Sequence, residues 1–174
     1  MSQWDSAQLM VDRWLARVIG LRAWEPSVGV GSFLTIEFGN PRVTSVGIRQ
    51  GEFHLWVFGA SWEIRERARI IASSSDDHDA MVDGARALDG ALLRSFRFDR
   101  EQMTLDLRFD SNVELAVTPL RDPEMEEWLL YLDDGMVITA GPGEIVTHKS
   151  ASDLRRLPNG HDDAAIKDST DGTT

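Results

Sequence analysis

Residues 101–118 read Glu-Gln-Met-Thr-Leu-Asp-Leu-Arg-Phe-Asp-Ser-Asn-Val-Glu-Leu-Ala-Val-Thr. Met103, Leu105, Leu107 and Phe109 alternate with Thr104, Asp106 and Arg108. After Asp110-Ser-Asn112 the alternation resumes at Val113, Leu115 and Val117. A period of two puts successive side chains on opposite faces, so this stretch predicts two antiparallel strands with one dry and one wet face, joined by a tight turn.

The same pattern extends in both directions. Leu92–Phe98 predicts the strand that opens this meander. Ser32–Phe38 places Leu34, Ile36 and Phe38 on one face, and Gly39-Asn-Pro41 ends it, since proline cannot donate to a ladder. Residues 40–51 read as an irregular connection with a short strand around Val43–Ile48. Phe53–Phe58 is apolar on both faces and predicts a central strand covered on each side. Short strands follow at Trp62–Arg65 and Ala68–Ala72. Downstream, Trp128, Leu130 and Leu132 alternate with Glu127, Leu129 and Tyr131. Asp133-Asp-Gly135 predicts a hairpin turn, because Asp-Gly tolerates positive φ. Met136–Ala140 returns, and a last short strand falls near Ile145–His148.

Two segments carry a helical period. Trp4, Ala7, Val11, Trp14, Leu15 and Val18 form one stripe over Gln3–Ile19, with Ser2 as N-cap and Gly20 past the end. Met81, Val82, Ala85 and Leu88 form another over Asp76–Leu88, with Ser75 as N-cap; Gly84 inside it costs about 1 kcal/mol relative to alanine. Helices mixed with antiparallel strands make an α+β domain. The expected architecture is a mainly antiparallel, strongly curved sheet or partial barrel with the N-terminal helix and one central helix packed on it; a helix-covered two-layer sheet is the alternative. Residues 1–149 form the single domain, and 150–174, poor in apolar residues, read as a disordered acidic and polar tail.

The chain has 174 residues, a net charge of −11 and no cysteine. The 150–174 segment contributes −2 (five Asp against three basic residues), leaving −9 on residues 1–149. Such a field opposes binding to phosphate backbones and favours basic protein partners or simple solubility. Without cysteine, disulfides and thiolate chemistry are excluded. No apolar run approaches the roughly 20 residues of a membrane span, and the N-terminus has no signal-peptide pattern, so a cytoplasmic location without membrane or nucleic-acid partners is expected.

No stretch specifies a reactive constellation. Asp76, Asp77, His78 and Asp79 could hold a hard cation, but a serine-capped helix start favours carboxylates in the same positions, and consecutive helical residues point apart. Gly29-Val-Gly31 precedes a strand where a dinucleotide loop would follow one. His54, His78, His148 and His161 lack zinc-ligand spacing. His54 alternates with core positions and reads as a half-buried strand histidine. Glu126/Glu127 and Asp133/Asp134 are adjacent and read as solvated rim and turn residues. Trp56, Trp62 and Trp128 fill a core, or line a ligand slot on a curved sheet. Catalytic residues, cofactors and metal ligands are thus expected to be absent. The candidate binding residues are Trp56, Trp62, His54, Asp76, Asp77, Asp79 and Glu127.

Gly31-Ser-Phe-Leu-Thr-Ile-Glu-Phe-Gly39, Phe53-His-Leu-Trp-Val57, Trp62-Glu-Ile64, Ser74-Ser-Asp-Asp77, Leu88-Asp-Gly90, Trp128-Leu-Leu-Tyr-Leu-Asp-Asp-Gly135 and Gly141-Pro-Gly143 together resemble a family of small uncharacterised bacterial proteins over about residues 15–146. The resemblance implies a bacterial, intracellular single domain and transfers no catalytic residue. The expected function is a non-catalytic protein-binding module, immunity-type or regulatory, facing a basic partner. A small-molecule or peptide-binding domain with a Trp-lined pocket is the first alternative, and an enzyme the second.

Overall fold

The computed structural model describes residues 3–44, 47–143 and 146–151. Six antiparallel strands form one sheet in the order β1 (Ala23–Val28), β2 (Leu34–Phe38), β5 (Phe53–Val57), β11 (Trp128–Tyr131), β12 (Met136–Ala140) and β13 (Val146–Ser150). Five form a second, in the order β7 (Arg69–Ser73), β6 (Ala60–Glu66), β10 (Val113–Pro119), β9 (Thr104–Phe109) and β8 (Leu93–Asp99). A small hairpin, β3 (Arg42–Val43) and β4 (Arg49–Gln50), occupies the connection expected to be irregular. The helices are α1 (Gln3–Leu15) and α2 (His78–Ala85), the latter continued by a 3₁₀ turn at Arg86–Leu88. The fold is therefore α+β and mainly antiparallel. Neither sheet is closed or strongly curled, so two open sheets replace the expected curved sheet or partial barrel.

The period-two stretch behaves as its sequence dictates. Met103, Leu105, Leu107, Phe109, Val113, Leu115 and Val117 are all buried. β9 and β10 pair in register, Leu107 opposite Leu115 and Leu105 opposite Val117. Ser111 and Asn112, at φ 62° and 59°, make the turn in left-handed backbone, which asparagine tolerates better than most residues. The inner faces of the two sheets share one core: Phe38 stacks with Phe109 at 6.5 Å, and Phe98 meets Trp128 edge-on at 5.2 Å. Trp62 and Trp128 are the largest fully buried side chains. Each removes about 200 Å² from water, worth about 5 kcal/mol as an upper estimate.

The helices close the core at its margins. α1 ends at Leu15, earlier than the expected Ile19, because the chain tightens through Arg17 N–H to Trp14 O and Val18 N–H to Leu15 O. Gly20 N–H then bonds Leu93 O at 2.8 Å, tying this turn to β8. α2 starts two residues later than expected. Asp77, and not Ser75, is its N-cap, accepting from Ala80 N–H at 3.0 Å, while Asp76 accepts from Ser73 N–H at 2.7 Å. Gly84 has a packing reason that its propensity hides: a Cβ there would lie 2.2 Å from Ala72 Cβ on β7.

The sequence pattern missed β1. Pro26 interrupts it and Glu25 sits at φ 47°, so the alternation is broken by a bulge between Trp24 and Ser27. Proline is tolerated because β1 is an edge strand. The expected disordered tail lies outside the described residues from 152 onward. No helix of the described residues is long and apolar enough to cross a membrane.

Candidate functional site

Register places two rows of side chains on the face of the six-stranded sheet that looks away from the shared core. One row runs Glu37, His54, Tyr131, Val137 and Lys149 across β2, β5, β11, β12 and β13. The next runs Thr35, Trp56, Leu129, Thr139 and Thr147 across the same strands. Beyond it lie Phe33, Phe58 and Glu127. Phe33 and Phe58 are 4.4 Å apart, and Trp56 meets Phe58 edge-on at 5.6 Å. Leu129, Val137 and Thr139 at the centre are buried, and His54, Trp56, Phe58 and Tyr131 around them are half-buried. The principal helix contacts lie elsewhere, α1 on β8 and α2 on β1 and β7.

Glu37 and His54, cross-strand partners, form the face's best-defined polar pair. His54 Nδ1 meets Glu37 Oε1 at 2.6 Å, and Glu37 Oε2 accepts from Gly51 N–H at 2.8 Å. A carboxylate accepts only, so Nδ1 carries the proton and donates. Both glutamate oxygens are thereby engaged in holding the strand end and the ring. Tyr131 packs beside the imidazole, with ring centroids 5.6 Å apart. The pair orients an imidazole, but no serine, threonine or further carboxylate is hydrogen-bonded to that ring in an arrangement that would make a nucleophile of it among the described residues.

Glu127 is the unexpected member. Sequence adjacency to Glu126 suggested a solvated rim residue, yet Glu127 is 0 % exposed. Its backbone joins both neighbouring strands: its N–H donates to Ala140 O at 2.8 Å, and its carbonyl accepts from Phe58 N–H at 2.9 Å. Its side chain lies against Gly141, where a Cβ would come within 3.1 Å of Glu127 Cγ. Neither carboxylate oxygen has a hydrogen-bond partner among the described residues. Burial pushes its pKa above the ordinary 4.5, and the Arg121 guanidinium pulls back only partly. Thr139 Oγ1 and Trp56 Nε1 are likewise buried without a hydrogen-bond partner among the described residues.

The other candidates are dispersed. Trp62 faces the shared core, 1 % exposed, and its indole N–H donates to Ser32 O at 2.6 Å, so the two tryptophans do not line one slot. Asp76 and Asp77 are engaged in the turn and cap described above, and Asp79 sits exposed in the first turn of α2. No group of three or more His, Asp or Glu side chains among the described residues is placed to hold a metal ion. Asp133 and Asp134 are exposed turn residues, as expected, and converge on one cation. Both bond Arg17, Asp134 at 3.1 Å. The sequence signal that could have found Glu127 was its place directly before β11 in the alternation with Trp128, which turns Trp128 to the core and Glu127 to the outer face.

No family model, curated protein or solved structure matches the chain.

Proposed function

We propose that this chain is a non-catalytic protein-binding module, of immunity or regulatory type, that acts in the bacterial cytoplasm on a basic protein partner through the outer face of its six-stranded sheet. The observation that carries this is the character of that face. Phe33, Phe58, Trp56 and Tyr131 surround a buried centre on the side of the sheet that does not form the shared core. Aromatic side chains of this kind, rigid and apolar with a polar edge, are enriched where protein surfaces meet. A net charge of −11 selects basic partners and speeds their encounter by long-range attraction.

The test is binding of purified basic proteins and arginine- or lysine-rich peptides across ionic strengths from about 0.05 to 0.5 M, where the screening length shortens severalfold. Affinity is expected to fall steeply with salt and to be lost in Trp56→Ser and Tyr131→Ser. Affinity indifferent to salt, or to both substitutions, overturns the proposal. The Phe33–Phe58–Trp56 cluster also favours a second function, a site for a small molecule or peptide. A metabolite that raises the melting temperature and shifts tryptophan fluorescence in wild type but not in Trp56→Ser would select it.

A further inference from the structure

We propose that residues 152–157, Ser-Asp-Leu-Arg-Arg-Leu, pack across the outer face of the six-stranded sheet and are displaced when a partner binds there. The packing stands on its own observations; the displacement rests on the protein-binding function above and supplies its regulation.

The centre of that face is drier than a bare sheet face. Val137 is 0 % exposed, Thr139 4 % and Leu129 9 %. The other sheet supplies the control: on its central strand β10 the outward Glu114 and Ala116 are half-buried and Thr118 is exposed. A valine flanked in its row by Tyr131 and Lys149 needs a further layer over it to leave water completely. The described helices have their principal contacts elsewhere, α1 on β8 and α2 on β1 and β7. Arg42 holds the β3–β4 hairpin at the end of the sheet, bonding Asp133 O at 2.9 Å and Glu52 O at 2.8 Å.

The chain itself runs to this place. β13 ends at Ser150, and Ala151 N–H donates to Gly135 O at 2.9 Å, two residues along β12 from Val137. Ala151 has helical backbone, and Ser150 before it is a preferred cap. The second sheet already fills the inner face, so the outer face is the one left to cover. Leu154 and Leu157, three apart, share one side of a helix, and Pro158 stops the pattern because the residue before a proline is pushed out of helical geometry. Six helical residues span about 9 Å, close to two strand spacings of about 4.8 Å, enough to reach from β12 over β11 towards Trp56 on β5. Arg155 and Arg156 against Asp153 make the segment basic on a chain of net charge −11. It offers the face the same chemistry as the basic partner, apolar side chains beside arginine, so the two compete. A face occupied from within binds an outside partner with affinity reduced by the fraction of open molecules.

The experiment uses the full chain, whose lack of cysteine allows a nitroxide to be attached at Asp153→Cys or, in a second variant, at Arg156→Cys. Both labels should broaden the ¹⁵N–¹H signals of the Val137 amide and the Trp56 indole, and leave Arg97 and Asp106 on the outer face of the other sheet at full intensity. Equal broadening on the two faces, or none, overturns the packing and leaves the acidic-surface function standing. Leu154→Asp combined with Leu157→Asp should abolish the broadening while the β9 and β10 amides keep their positions, which separates release of the segment from loss of fold. Broadening that survives this double substitution also overturns the packing. The probe for displacement is the capped peptide Ac-Ser-Asp-Leu-Arg-Arg-Leu-NH₂, which should bind the double variant about tenfold or more tightly than wild type. Equal affinity for the two overturns the displacement. No binding of this peptide or of any basic protein to either form overturns the protein-binding function, while the labels alone decide the packing.

Discussion

The outer faces of the two sheets are built from the same alternation, yet they differ in kind. On the five-stranded sheet, Glu114 sits between Arg65 of β6 and Arg108 of β9, and Asp106 lies opposite Arg97 of β8. Opposite charges across neighbouring strands, with Arg97, Asp106 and Arg108 exposed, make a face suited to water. On the six-stranded sheet the corresponding positions hold Trp56, Leu129, Val137, Thr139 and Tyr131. A face meant only for solvent gains nothing from such residues. The contrast teaches that one sheet is two-sided in the ordinary antiparallel sense, whereas the other carries an apolar and aromatic centre on its outer face too, flanked by the half-buried Glu37 and His54 and the exposed Lys149 and holding, at Glu127, a buried carboxylate without a hydrogen-bond partner among the described residues.

Substitutions can break that contrast, beginning in the core that both sheets share. Trp62→Ala empties a fully buried site and should cost about 3–5 kcal/mol in denaturant unfolding, whereas Trp56→Ala on the half-buried outer face should cost clearly less. Equal costs would mean that the outer face is as much core as the inner one. Gly84→Ala should cost about 1–3 kcal/mol, because the added methyl meets Ala72 on β7; a gain, as helix propensity alone predicts, would show that α2 can move off the strand.

Charge distinguishes the faces next. The folded chain holds the Glu127 proton above the pH at which the unfolded chain releases it, so wild-type stability should fall as pH rises from 4.5 through the higher folded value. Glu127→Gln should flatten that limb and gain stability at neutral pH, measured by unfolding at a series of pH values. Asp134 provides the opposite sign. Partial burial pushes its carboxyl upward, but the Met136 N–H and the Arg17 guanidinium together outweigh it and hold the pKa below 3.8. Its contribution is present above 3.8 and is lost as pH falls through the folded value, and Asp134→Asn should remove that acid limb alone. Smallest of all, Arg65→Gln on the solvated face should change stability by less than about 0.5 kcal/mol.

How much of this was legible follows the strength of the local signal. β9, β10 and the Asp133–Gly135 turn were legible because alternation and turn chemistry agree residue by residue. β1 was not, since Pro26 and the Trp24–Ser27 bulge erase the period that betrays a strand. The start of α2 was misplaced because Ser75, Asp76 and Asp77 are all good caps, and only the Asp76 bond to Ser73 decides among them. The binding candidates scattered for a related reason. Trp56 and Trp62 look alike in sequence, but the chain passes from one sheet to the other between them, at Gly59, so they face different layers.

By itself the sequence determined an antiparallel α+β chain, the inward sets of β2, β9 and β10, an acidic net charge and the absence of cysteine. These depend on composition and on a period of two, which neighbours along the chain carry. Only the tertiary structure decided that the strands divide into two sheets and that Glu127 is dry while its neighbour Glu126 is not. It alone placed Glu127, Thr139 and Trp56 on one patch. Burial and partnership are set by strands far apart in sequence, and no local pattern reports which of them will become neighbours.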